Sequence, residues 1–212
     1  MLLALASPSL VCSLLAPAPV SQATHTDKHA PVPVGSSQTD LIARQNPSAC
    51  FVIGRTALPA EVVTSVNSIS GRVTCNTARK TISNVPDVSS GGVSFSSVNF
   101  ATSGQTPLAF ALSKFATPTP LRSANLAAFQ RQLDVYLATE AGIRSAGGNF
   151  APIKIPKFFL EMQISRIQTA QGNPPTAAGL QIDHLRDKVL KNAPREAQAL
   201  LDQVTALART RS

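Results

Sequence analysis

Two cysteines, Cys50 and Cys75, place the tightest constraint on how this sequence folds. The third, Cys12, falls in an N-terminal leader that export would remove. An even number in an exported chain then predicts one disulfide. Neither residue sits in a Cys-x-x-Cys, so the pattern points away from a redox thiol or a zinc site. Between them lies a short unit. Cys50-Phe51-Val52-Ile53 reads as a strand ended by Gly54. Pro59 and Glu61 then suit a first helical turn, where a missing N–H costs nothing and a carboxylate meets the positive dipole end. Val62, Val66 and Ile69 share one helical face, and Gly71 ends it. A Cys50–Cys75 bridge ties the ends of this unit together.

The expectation of export rests on residues 1–44. Leu2–Ala6 and Leu10–Ala18 are apolar, broken by Ser7-Pro8-Ser9, and fall short of the roughly 20 apolar residues of a membrane-spanning helix. Ser21 and Ala23 put small side chains at −3 and −1 of a cut before Thr24, which predicts a signal peptide over 1–23. Residues 24–44 carry Pro, Thr and His with little apolar content, cannot offset their chain entropy by burial, and predict a disordered pro-segment ending at Arg44. In this leader the chain resembles small secreted, effector-like proteins of filamentous fungi, whose pro-segments end at a basic residue cut by a Kex2-like protease. The resemblance implies a mature chain beginning at Gln45.

Past the leader the pattern predicts an α+β domain over 45–172 and a helical C-terminal extension over 173–212. Aromatics are scarce (nine Phe, one Tyr, no Trp), so the core must be largely aliphatic. From Arg72 to Phe115 the apolar residues alternate: Val93 and Phe95, then Val98 and Phe100 in the opposite phase, then Leu108, Phe110 and Leu112. Short strands punctuated by Gly91-Gly92, Gly104 and Pro107 are the expectation, with a bulge or turn at Ser96-Ser97. Leu126, Phe129, Leu133, Tyr136 and Leu137 mark a central helix over 123–141 with Ser123 as N-cap. Residues 157–168 fit either period and are read as a strand. Ile182, Leu185 and Val189, then Leu200, Leu201, Val204 and Leu207, predict two terminal helices around Pro194. Their apolar faces can pack on the domain or leave a separable basic segment.

Catalytic parts are few. His184 alone survives processing, beside Asp183 and Asp187 on a polar helix face, and no G-x-S-x-G marks a nucleophile elbow. With the cysteines bridged, a metal site lacks ligands, and no cofactor is expected. Ser89-Ser90-Gly91-Gly92 and Ala146-Gly147-Gly148 match no phosphate-loop spacing and read as turns. Paired carboxylates need no histidine. Of eleven acidic residues, Asp27 and Asp40 leave with the leader, and Glu140 with Glu161 is the least bland remaining pair.

The net charge of +8 survives processing and favours anionic partners, but basic residues without interleaved aromatics give no signature of specific nucleic-acid binding. The expectation is a secreted, non-enzymatic binding protein of a cell surface, wall or host target, disulfide-pinned and without a deep polar cleft. The alternatives are a carboxylate-dependent hydrolase, which predicts Glu140 and Glu161 converging in a pocket, and a structural component of a wall or spore surface.

Overall fold

A computed structural model describes residues 46–210; the leader, including Ala23 and Arg44, and the last two residues lie outside the described residues. Among the described residues, six helices and one three-stranded antiparallel sheet form the expected α+β fold. In chain order they are α1 (Ala60–Ile69), β1 (Val73–Lys80), β2 (Pro86–Ser90), β3 (Val93–Ser94), α2 (Pro107–Lys114), α3 (Leu126–Ser145), α4 (Ala151–Ala170), α5 (Ile182–Asn192) and α6 (Gln198–Arg209), with 3-10 turns between several of them.

The N-terminal unit is pinned as anticipated. Pro59 is the N-cap of α1, whose Val62, Val66 and Ile69 are buried. Cys50 and Cys75 are bonded, with Cα atoms 6.0 Å apart. Cys75 lies on β1 opposite Val88 of β2, so the disulfide staples the turn ahead of α1 to the sheet. Residues 50–53 are that turn and not a strand; Val52 N–H closes it on the Ala49 carbonyl. Ser90 pairs with Val93, which makes Gly91-Gly92 a two-residue hairpin turn. Both glycines have positive φ (51° and 87°), as the twist of such a turn requires.

Helix α3 is central and packs against α1, the sheet and α4. Its N-cap is Asn125, whose Oδ1 accepts from Ala128 N–H at 3.1 Å; Ser123, the expected cap, instead donates to the Pro120 carbonyl in a preceding 3-10 turn. Tyr136 is fully buried and donates its hydroxyl to the Val98 carbonyl at 2.7 Å, inside a cluster of Phe95, Phe100 and Phe115. Gly142 allows close approach: a Cβ there would sit 2.6 Å from the Phe51 carbonyl oxygen.

Three stretches expected as strands are α-helical or 3-10. Leu108, Phe110 and Leu112 alternate, but Thr106 caps and Pro107 begins α2, and the fully buried residues are Leu108, Ala111 and Phe115. The small Ala111 hid that face. Residues 95–102 likewise form 3-10 turns that bury Phe95, Val98 and Phe100. Residues 157–168 belong to α4, which packs against α2, α3 and α5. Burial on nearly every side, from Phe159 through Ile167, erases the 3.6-residue rhythm that exposes an amphipathic helix to view.

The C-terminal segment is helical, and it packs on the domain. Ile182, Leu185, Val189, Ala193, Val204 and Ala208 join the same buried core as α3 and α4. Glu196, between α5 and α6, accepts from Thr106 Oγ1 (2.5 Å) and Leu108 N–H (3.0 Å), so the tail helps cap α2. Arg166 of α4, 2% exposed, donates to the Thr210 carbonyl and to Gln163.

Candidate functional site

Glu140 and Glu161 do come together. Glu140 is on α3 and Glu161 on α4, and both line one cavity of about 340 Å³ with Glu61, Arg144, Lys154, Lys157, Phe158 and Lys188. The two carboxylates differ sharply in circumstance. Glu140 is 3% exposed and both of its oxygens are taken: Arg144 donates to Oε1 at 2.8 and 2.9 Å, and Lys157 Nζ lies 2.7 Å from Oε2. Glu161 is half-buried and has no ion-pair or hydrogen-bond partner among the described residues. Burial pushes its carboxyl from the ordinary 4.5 up to about 7; Glu140 adds to the rise, and Lys157 and Lys188 oppose it.

Glu161, with Leu137, also lines a second, larger cleft of about 600 Å³ between α3 and α4. Its walls are Ala127, Leu133 and Leu137 of α3, Ile164 of α4, and Pro175 and Leu180 of the connection to α5. Leu180 is 49% exposed, and it and Ile53 are the two large exposed apolar side chains among the described residues. The Leu180 loop is held in place by its carbonyl, which accepts from Ser165 Oγ at 2.8 Å. At one end Asp134, 5% exposed, receives Arg72 through Nε (2.7 Å) and Nη2 (2.8 Å) and Ser90 Oγ (2.8 Å). That carboxylate is saturated. Arg131 is the second guanidinium of this cleft; it lies across Gly91, exposed, with no ion pair among the described residues.

His184 is exposed on α5, and its neighbours Asp183 and Asp187 pair with Arg186 (2.7 and 2.8 Å), so they present no triad. Among the described residues no three His, Cys, Asp or Glu side chains gather as a metal site. The Gly-rich stretches are turns: Gly91-Gly92 in the hairpin, and Gly147-Gly148 closing α3 onto the Arg144 and Ile143 carbonyls.

Residues 52–212 match the family described as a domain of unknown function, DUF7143. The chain belongs to that family. No curated protein and no solved structure matches it. The family's matched span begins just after Cys50 and runs through α5 and α6, so it takes in both cavities and every helix that lines them.

Arg131, Leu180 and the lysines around Glu140 were not singled out by sequence reasoning. Glu140 and Arg144 stand at i, i+4, a readable helical ion pair. Lys157 and Glu161 stand four apart too, but a strand assignment for 157–168 conceals it. Nothing local marks Leu180, which becomes notable only when the cleft forms beneath it.

Proposed function

We propose that this chain acts outside the cell as a disulfide-pinned binding protein, taking a small amphipathic molecule into the larger cleft and recognising it without turnover. The make-up of that cleft carries the reading: an apolar floor of Leu133, Leu137 and Ile164 and an exposed Leu180 at its edge. The rim carboxylate, Asp134, is already satisfied by Arg72 and Ser90, and Arg131, without an ion pair among the described residues, can meet an acidic head group. Apolar enclosure with a few convergent polar groups is the usual form of a ligand site. Export is supported by the disulfide, by the absence of a helix long and apolar enough to cross a membrane among the described residues, and by the Ala23 and Arg44 processing signals of the leader. An effector-like or wall-associated role belongs to this proposal.

The test uses 8-anilinonaphthalene-1-sulfonate, an apolar body with one anionic group. Saturable binding by the folded protein, abolished by Ala127→Trp at unchanged melting temperature, supports the reading. Ala127 is exposed on the cleft wall, so a bulky side chain there fills space without disturbing the core. No binding, or binding indifferent to Ala127→Trp, overturns it.

The hydrolase reading keeps one observation in its favour, the shared cavity of Glu140 and Glu161. An acid and a base of separated strengths are what glycosidic cleavage needs. Against it, Glu140 is buried with both oxygens committed to cations. Release of reducing sugar from chitin or cell-wall glucan by the wild type, lost in Glu161→Gln, would establish this reading in place of the first.

A further inference from the structure

The smaller cavity gathers cations from three helices: Arg144 from α3, Lys154 and Lys157 from α4, and Lys188 from α5. Two phenyl rings hold them in array. Arg144 Cζ and Lys154 Nζ lie 3.6 and 4.9 Å from the Phe150 ring centre, and Lys157 Nζ and Lys188 Nζ lie 4.3 and 5.9 Å from that of Phe158. Glu140 compensates Arg144 and Lys157. Lys154 and Lys188 make no ion pair among the described residues. Their crowding has a cost. Burial, and after it the charge of Arg144, lower the Lys154 ammonium from its ordinary range; Lys157 and Lys188 lower it further, and Glu140 alone opposes them.

The geometry points to a binding site for a compact oxyanion, a phosphate or sulfate group, held by Lys154 and Lys188 with Arg144 and Lys157 behind them. Tetrahedral oxyanions offer several oxygens to separate donors, which suits amines arriving from different helices better than a planar carboxylate would. The charge also matches. Four cations face Glu140 and the exposed Glu61, which leaves a surplus of two positive charges whenever Glu161 is protonated. Glu161 faces Lys157, Lys188 and Glu140 on this side, and Arg131 with the Arg72–Asp134 pair across the larger cleft. Its ionisation as pH rises through about 7 subtracts from that surplus, so the oxyanion is held more tightly in mild acid. This site shares Leu137 and Glu161 with the larger cleft, but the cations that hold the oxyanion line the smaller cavity alone.

Isothermal titration of the secreted protein with sodium sulfate and with inorganic phosphate, at ionic strength fixed with chloride, tests the site. Sulfate serves for the pH comparison because it does not itself titrate near neutrality. The expected result is saturable binding at one site, tighter at about pH 6 than at about pH 8, and weakened about tenfold or more by Lys154→Gln/Lys188→Gln, as two lost charges in a partly buried site imply. Lys114→Gln, an exposed lysine on α2 away from the cavity, leaves it unchanged. Lys188→Gln alone replaces the double variant if melting shows that the latter is unfolded. Flotation with phosphatidylcholine vesicles, with and without phosphatidic acid, separates the sources. Binding to the acidic vesicles that the lysine variant loses assigns a lipid headgroup, and binding of the free anions alone assigns a soluble ligand. No saturable response beyond chloride, or equal weakening by Lys114→Gln, overturns the inference.

Discussion

Replacing Glu161 with Gln should stabilise this protein in mild alkali and leave it nearly unchanged in acid. The carboxyl sits half-buried between two cavities without a partner among the described residues, and burial raises it from 4.5 to about 7. Between those values the folded chain holds a proton that the unfolded chain has released. The resulting stability is fully present below about pH 4.5 and is lost as pH rises through about 7. At about 1.4 kcal/mol per pH unit, the full difference corresponds to about 3 kcal/mol. Partial exposure of the side chain reduces it to about 1–2 kcal/mol. Glutamine keeps the shape and never ionises, so at about pH 8 the variant gains that amount, a rise of roughly 3–6 °C in melting temperature for a domain of this size. Calorimetric melts of both proteins across this range isolate Glu161, because other titrating groups contribute equally to each. Parallel pH curves, or a variant less stable at about pH 8, would refute the buried, unpartnered carboxyl.

Three further outcomes are expected. Reduction of Cys50–Cys75, which closes a separation of 25 residues, should lower unfolding stability by about 3 kcal/mol, and alkylation of the unreduced mature protein should label neither cysteine. Gly142→Ala places a Cβ 2.6 Å from the Phe51 carbonyl oxygen and 2.7 Å from Val85 Cγ1, both residues fully buried, and should cost about 2–3 kcal/mol in denaturant melts; wild-type stability would show that α3 sits further from them. Arg44→Ala should raise the mass of the secreted product by that of the pro-segment, and an unchanged mass would place the cut elsewhere.

The parts of this fold that were legible in advance carry strong local punctuation. Pro59, the Val62–Val66–Ile69 face and Gly71 bracket α1 because a surface helix shows one apolar stripe and sharp ends. The Gly91-Gly92 turn and the central helix were visible for similar reasons. Helix α4 was not, since a helix enclosed by neighbours has apolar residues all round and no single period. Helix α2 is too short for its rhythm to outvote three alternating residues, although Thr106-Pro107 held the decisive capping signal. At the site, Glu140 and Glu161 could be paired in advance because few acidic residues lay off a polar face. Their opposite circumstances could not, because the cations that separate them come from α3, α4 and α5 and meet only in the folded chain.

The central claim, a cleft that binds an amphipathic molecule beside Glu161, is tested most directly by mapping amide shift changes while 8-anilinonaphthalene-1-sulfonate is added to the folded protein. The account predicts that the largest changes fall on Ala127, Arg131, Leu133, Ile164 and Leu180, all walls of that cleft, and that they saturate together. Changes scattered over the surface, or centred on the α2–α6 side near Leu112 and Gln203, would contradict it.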